Sequence, residues 1–131
     1  MALEFKPVAI KRIDKPEIVQ YMARLVSGGE IDMYGLAKMI SRGSTFTEAD
    51  CIGVLHALQH AILQELCIGK SVKLDRLGIF RLSIKSTASK TPEAVSVRNV
   101  TKVTTVFKPS KEFAHLVNNT DLVKQSKRKR K

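Results

Sequence analysis

The sequence predicts an α+β fold, and three observations carry that expectation. A long apolar stripe at helical spacing runs through "TEADCIGVLHALQHAILQELC". Directly after it, in "SVKLDRLGIFRLSIK", the apolar period switches to two. A Val- and Thr-rich stretch, "VSVRNVTKVTTVFKP", then leads into a short segment of helical pattern. Helices grouped first and strands grouped after them indicate α+β rather than alternating α/β. At 131 residues the chain has room for one modest core.

Taken in order, residues 1–17 mix prolines, lysines and short apolar pairs, which suits an extended segment with a strand at "VAIKRI". "IVQYMARLVSGG" fits strand or helix, and Gly28 and Gly29 stop it in either case. "EIDMYGLAKMISRG" places Ile31, Leu36, Met39 and Ile40 on one stripe and ends at Gly43, giving a short helix. Thr47 is placed to cap the long helix, with Asp50 in a capping-box position and Glu48 adding negative charge at the positive end of the helix dipole. Along it Ile52, Leu55, Leu58, Ile62 and Leu66 recur at steps of three and four, Val54, Ala61 and Leu63 widen the stripe, and Gly69 ends it. So wide a stripe exceeds what one small sheet can cover, and a dimer interface absorbs the excess.

Val72 and Leu74 then share one strand face, and "DRLG" supplies a turn. In the next strand Phe80, Leu82 and Ile84 point one way while Arg81, Ser83 and Lys85 point the other. "STASKTPEA" is polar and loop-like; residues 95–109 read as one β-branched strand ended by Pro109, and Ser110 caps a closing helix. The expected organisation is an N-terminal extension over 1–30, a main domain over 31–120 and a basic, disordered tail over 121–131.

Charge narrows the function class. The net charge is +11. Six of the last eight residues are basic, so about +5 remains on the rest of the chain. A surplus on both body and tail favours a polyanionic partner, nucleic acid first among them. An apolar fraction of 44% argues against wholesale disorder. No apolar run reaches the roughly 18 residues of a membrane span, and the N-terminus lacks a signal-peptide apolar region, so a cytoplasmic protein is expected. Cys51 and Cys67 are too far apart on one helix to bridge, which suggests buried or semi-buried free thiols. His56 and His60 stand one turn apart without a third ligand, so no metal is expected. No phosphate-binding glycine loop, nucleophile elbow or Cys-His arrangement is present, so neither an enzyme, a cofactor nor a small-molecule substrate is expected. Two tyrosines and no tryptophan offer few stacking platforms for single strands.

Three segments in this order resemble the bacterial histone-like DNA-binding proteins of the HU and integration-host-factor type. "FTEADC" resembles the family's turn and second-helix start, through Thr47 and Asp50. "GKSVKLDRLGIFRLSIK" resembles its glycine, valine-x-leucine, glycine-x-phenylalanine core, here Gly69, Val72, Leu74, Gly78 and Phe80. "FKPSKEFAHLV" resembles its closing segment, through Phe107, Lys108, Lys111, Phe113 and Val117. Two departures stand out: the N-terminal extension, and the absence of the arginine-asparagine-proline motif at the arm tip. Pro92 follows no Arg-Asn pair and reads as a turn proline rather than a wedge between base pairs.

The resemblance implies an HU-like intertwined homodimer with a helical base, an antiparallel β-saddle, β-arms and a short C-terminal helix. It implies nucleoid-associated, largely sequence-independent binding of double-stranded DNA. Candidate phosphate contacts are Arg81, Lys85, Lys90, Arg98, Lys102, Lys108 and Lys111, with Lys127, Arg128, Lys129, Arg130 and Lys131 in the tail. Candidate dimer-interface residues are Leu55, Leu58, Ile62, Leu66, Phe80 and Leu82. The alternative is an HU-like dimerisation or assembly module that recruits a protein partner and binds DNA weakly or not at all.

Overall fold

The computed structural model describes residues 2–126, which form three α-helices and two three-stranded sheets. They fall into two compact units, residues 31–115 and residues 2–30 together with 116–126.

In the first unit, helix α1 (Met33–Arg42) starts at Asp32, whose Oδ1 accepts the Gly35 N–H at 2.9 Å. Helix α2 (Glu48–Cys67) begins with a full capping box. The Asp50 N–H donates to Thr47 Oγ1 at 3.1 Å, and the Thr47 N–H donates to Asp50 Oδ2 at 3.4 Å. Gly69, at φ +91°, turns the chain out of α2. Strands β3 (Val72–Leu74), β4 (Gly78–Ser86) and β5 (Val100–Pro109) follow as one antiparallel sheet in that order.

Helix α3 (Lys111–Asn118) is tied to the β3–β4 turn. Ser110 Oγ donates to the Arg76 carbonyl at 2.6 Å and accepts the Phe113 N–H at 3.0 Å, while the Ser110 N–H donates to the Leu77 carbonyl at 2.9 Å. Phe107 completes the join, with its ring 4.7 Å from Phe80 and edge-on to Phe113 at 6.4 Å.

The residues between β4 and β5 depart from the sequence expectation. "VSVRNV" alternates like a strand, yet Pro92–Ala94 and Val97–Asn99 form 3-10 turns. Asn99 decides this. Its Oδ1 accepts the Ser96 N–H at 2.8 Å, and its Nδ2 donates to Thr87 Oγ1 at 3.1 Å and to Ser89 Oγ at 3.0 Å. These local bonds outcompete a strand ladder, so residues 87–99 fold into a compact loop rather than an extended ribbon. Pro92 occupies the first turn of its 3-10 segment.

The second unit is a sheet of order β2-β1-β6: β1 (Ala2–Lys11), β2 (Val19–Leu25) and β6 (Asp121–Lys124). The segment left open between strand and helix is β2, antiparallel to β1. Residues 121–124, expected in the tail, are instead β6 and pair in parallel with β1. Lys127, Arg128, Lys129, Arg130 and Lys131 lie outside the described residues.

Within one chain the apolar core is small. Ala37, Cys51 and Leu66 are the buried apolar residues among those described. Leu66 is thus covered within its own chain. Leu55, Ile62, Phe80 and Leu82 are half-buried, and Leu58 is 44% exposed. Cys67, expected to be at least semi-buried, is exposed at the end of α2.

Candidate nucleic-acid interface

Register sorts the side chains of the β3–β4–β5 sheet into two faces, because residues directly opposite one another project to the same side. Phe80 stands opposite Phe107 and Val72, Leu82 opposite Thr105, and Ile84 opposite Val103. That is the apolar face. On the other, Arg81 stands opposite Val106, Ser83 opposite Thr104, Lys85 opposite Lys102, and Ile79 opposite both Lys108 and Lys73.

Four of the expected contacts, Arg81, Lys85, Lys102 and Lys108, thus share one face, and all four are exposed. Lys73 joins them. Sequence reasoning passes over it, since β3 is three residues long and its two apolar neighbours draw attention; the register with Ile79 is what reveals it. Lys111, the first residue of α3, lines a shallow groove of about 400 Å³ with Lys73, Asp75, Ile79 and Lys108, at the edge of the same face. Lys90 and Arg98 do not join the sheet face; both are exposed on the 87–99 loop.

No acidic residue occurs in β4 or β5. Lys85 and Lys102 sit directly opposite each other, an arrangement that costs a free sheet about 0.2–1 kcal/mol. Arg76, by contrast, is already engaged. Its Nε and Nη2 donate to Glu112 Oε1 at 3.0 and 2.8 Å, and this hydrogen-bonded carboxylate raises the guanidinium pKa above its usual value. Both partners are exposed, so the pair orients the turn against α3 more than it stabilises the fold.

Among the described residues, no group of three or more His, Cys, Asp or Glu side chains is placed to hold a metal ion. No helix among them is long and apolar enough to cross a membrane.

The sequence profile of the family described as an HU domain fused to wHTH, Ig, or glycine-rich motif (HU-HIG) matches residues 1–124. The chain belongs to the HU-HIG family. Solved structures share its fold, two of them as follows. One is a candidate bacterial DNA-binding protein from Bacteroides vulgatus, with a TM-score of 0.64 and 11% identity over 92% of this chain. This HU-HIG chain spans 47% of the length of that protein. The other is Anabaena HU in a cocrystal with DNA, with a TM-score of 0.53 and 20% identity over 68% of this chain and 99% of the Anabaena chain. None of the curated proteins matches the sequence. In this HU-HIG chain the 87–99 loop, which lacks an arginine-asparagine-proline motif, is compact, and its proline forms a turn.

Proposed function

We propose that this HU-HIG chain is a non-enzymatic, histone-like architectural protein that binds double-stranded DNA as a homodimer, largely without reading sequence. The observation that carries the reading is the sheet face of Lys73, Arg81, Lys85, Lys102 and Lys108, with Lys85 set opposite Lys102. A like-charge pair with no acid beside it on either strand is a poor arrangement for a free protein and a good one for a row of phosphates. The fold shared with Anabaena HU, solved with DNA, supports the same partner.

The contacts are to the backbone, which explains binding without sequence preference. In this reading the sheet is the saddle, Lys111 extends it at one edge, and Lys90 and Arg98 flank it as the remnant of an arm. Lys127, Arg128, Lys129, Arg130 and Lys131 add further counterion release. The protein is then a cytoplasmic, nucleoid-associated one.

Support for the dimer comes from how little one chain buries. Val54, Leu58 and Leu63 are exposed along α2. An apolar groove of about 190 Å³, lined by Ile40, Phe46, Cys51, Val54 and Leu55, lies open between α1 and α2. So small a single-chain core does not offset the entropy of ordering the chain. A second copy laid on α2, with Leu55, Leu58 and Ile62 at its centre, supplies the missing burial.

Lys102→Gln separates this reading from a solvated basic sheet. Relief of the Lys85–Lys102 repulsion is expected to raise stability by about 0.2–1 kcal/mol. The same change lowers affinity for several unrelated duplexes alike, with the salt slope shallower by about 0.9. Thermal unfolding and fluorescence titration measure the two effects. A loss confined to one duplex contradicts backbone binding, and unchanged binding removes Lys102 from the interface. If the unmodified protein fails to bind duplex even at low salt, the assembly-module reading takes its place.

A further inference from the structure

The β2-β1-β6 sheet has two edges of different character. The β6 edge is short and bears Asp121 and Lys124 at its ends, features that blunt an edge against pairing. The β2 edge carries no such protection. "VQYMARL" contains no proline, no lysine and no acid, pairs with β1 in unbroken register from Val19 to Leu25, and is exposed throughout.

The backbone direction along β2 follows from its hydrogen bonds. The Val26 N–H donates to the Glu4 carbonyl at 2.8 Å, so Val26 faces β1. The Phe5 carbonyl, opposite Leu25, instead accepts the Gln125 N–H on the β6 side. Pro7, which has no N–H to give, stands opposite Ala23. With the alternation of an antiparallel ladder, Gln20, Met22 and Arg24 turn their backbone groups toward β1, and Val19, Tyr21, Ala23 and Leu25 turn theirs outward.

This outward row complements itself. Laid antiparallel to a second copy with Met22 on the two-fold axis, β2 sets Val19 opposite Leu25, Gln20 opposite Arg24 and Tyr21 opposite Ala23. Every outward N–H then meets an outward carbonyl. The large Tyr21 meets the small Ala23, and the single charge of each strand, Arg24, faces a neutral amide. We infer that β2 is a self-association edge, at which a second copy of this chain joins the two N-terminal sheets into one continuous six-stranded sheet. The occupant is a second copy because its register leaves no outward backbone group unmatched and brings no like charges together. This interface is separate from the one proposed on α2, and it needs no DNA.

Site-directed cross-linking of the full chain without DNA tests the inference. In a Cys67→Ser background, which removes the exposed thiol, cysteine is placed singly at 20, 22 or 24. Met22 faces its own copy across a non-hydrogen-bonded pair, where Cα atoms lie about 4.5 Å apart, within the range a disulfide spans. Met22→Cys is expected to convert to a covalent dimer under mild oxidation, doubling the mass on a non-reducing gel. Gln20→Cys and Arg24→Cys, each opposite a different residue, remain monomeric on the same gel. Ala23→Pro added to Met22→Cys abolishes the cross-link, because it removes an outward N–H while leaving the bonds to β1 intact. Absence of a cross-link at 22, equal cross-linking at all three positions, or indifference to Ala23→Pro each overturns the inference. A failure of DNA binding leaves these outcomes unchanged, so the two readings stand or fall separately.

Discussion

Neutralising Lys73, Arg81, Lys85, Lys102 and Lys108 together, each to Gln, is expected to reduce the salt slope of duplex binding by about 4 to 5. Each side chain lies on one sheet face, is exposed, and projects from strand backbone whose register fixes its neighbours. Each phosphate contact contributes about 0.9 to the slope through counterion release. The variant keeps its fold, because these exposed side chains contribute nothing to the opposite face, where Phe80, Phe107 and Phe113 pack. Relief of the Lys85–Lys102 repulsion acts in the same direction. Weak residual binding through Lys127 to Lys131 is expected, equally shallow on every sequence. Titration of a labelled duplex at several salt concentrations, with unfolding curves run in parallel, checks both halves of the statement. A variant that is folded and retains the full slope removes the sheet face from the interface.

The largest effect on stability is expected at Gly78. Its φ of +148° disfavours any side chain, and an added Cβ would collide with the Lys108 carbonyl and lie 2.9 Å from the Pro109 Cα. Neither obstacle is a flexible side chain that swings aside. Both belong to the β5 backbone where it pairs with β4, next to the bond from Ser110 to the Leu77 carbonyl. Gly78→Ala is expected to cost about 3 kcal/mol or more, lowering the melting temperature by roughly 10–20 °C. Gly28→Ala, with open space around its Cβ, serves as the control and leaves the melting temperature within a few degrees. DNA binding by this variant is expected to be lost at the lowered melting temperature, since β3, β4 and β5 present the basic face together.

Much of the 31–115 unit is legible in the sequence because its signals are local. The Thr47–Asp50 capping box, the exit of α2 at Gly69, the alternation of Phe80, Leu82 and Ile84 against Arg81, Ser83 and Lys85, and the Ser110 cap each lie within a few residues of the element they define. Pairing across long sequence distances leaves weaker traces. In β6, Leu122 and Val123 make too short an apolar pair to announce a strand, and their partner β1 lies at the other end of the chain. The 95–99 stretch misleads because its alternation is overridden by one side chain, Asn99, whose partners Thr87 and Ser89 come from across the loop. The candidate site divides the same way. Arg81 and Lys85 can be read from strand alternation alone. Lys73 needs the β3–β4 register, and the opposition of Lys85 to Lys102 needs the β4–β5 register.

The proposed seat of DNA binding is the sheet face rather than the tail. The most direct test is the salt dependence of duplex binding by a chain ending at residue 126, which lacks the terminal basic run but keeps every described element. A slope of about −4 or steeper in log affinity against log salt is predicted, equivalent to a loss of roughly 250-fold or more between 50 and 200 mM. No measurable binding by this shortened chain at low salt, with full-length protein binding normally, would place the affinity in the tail and contradict the account.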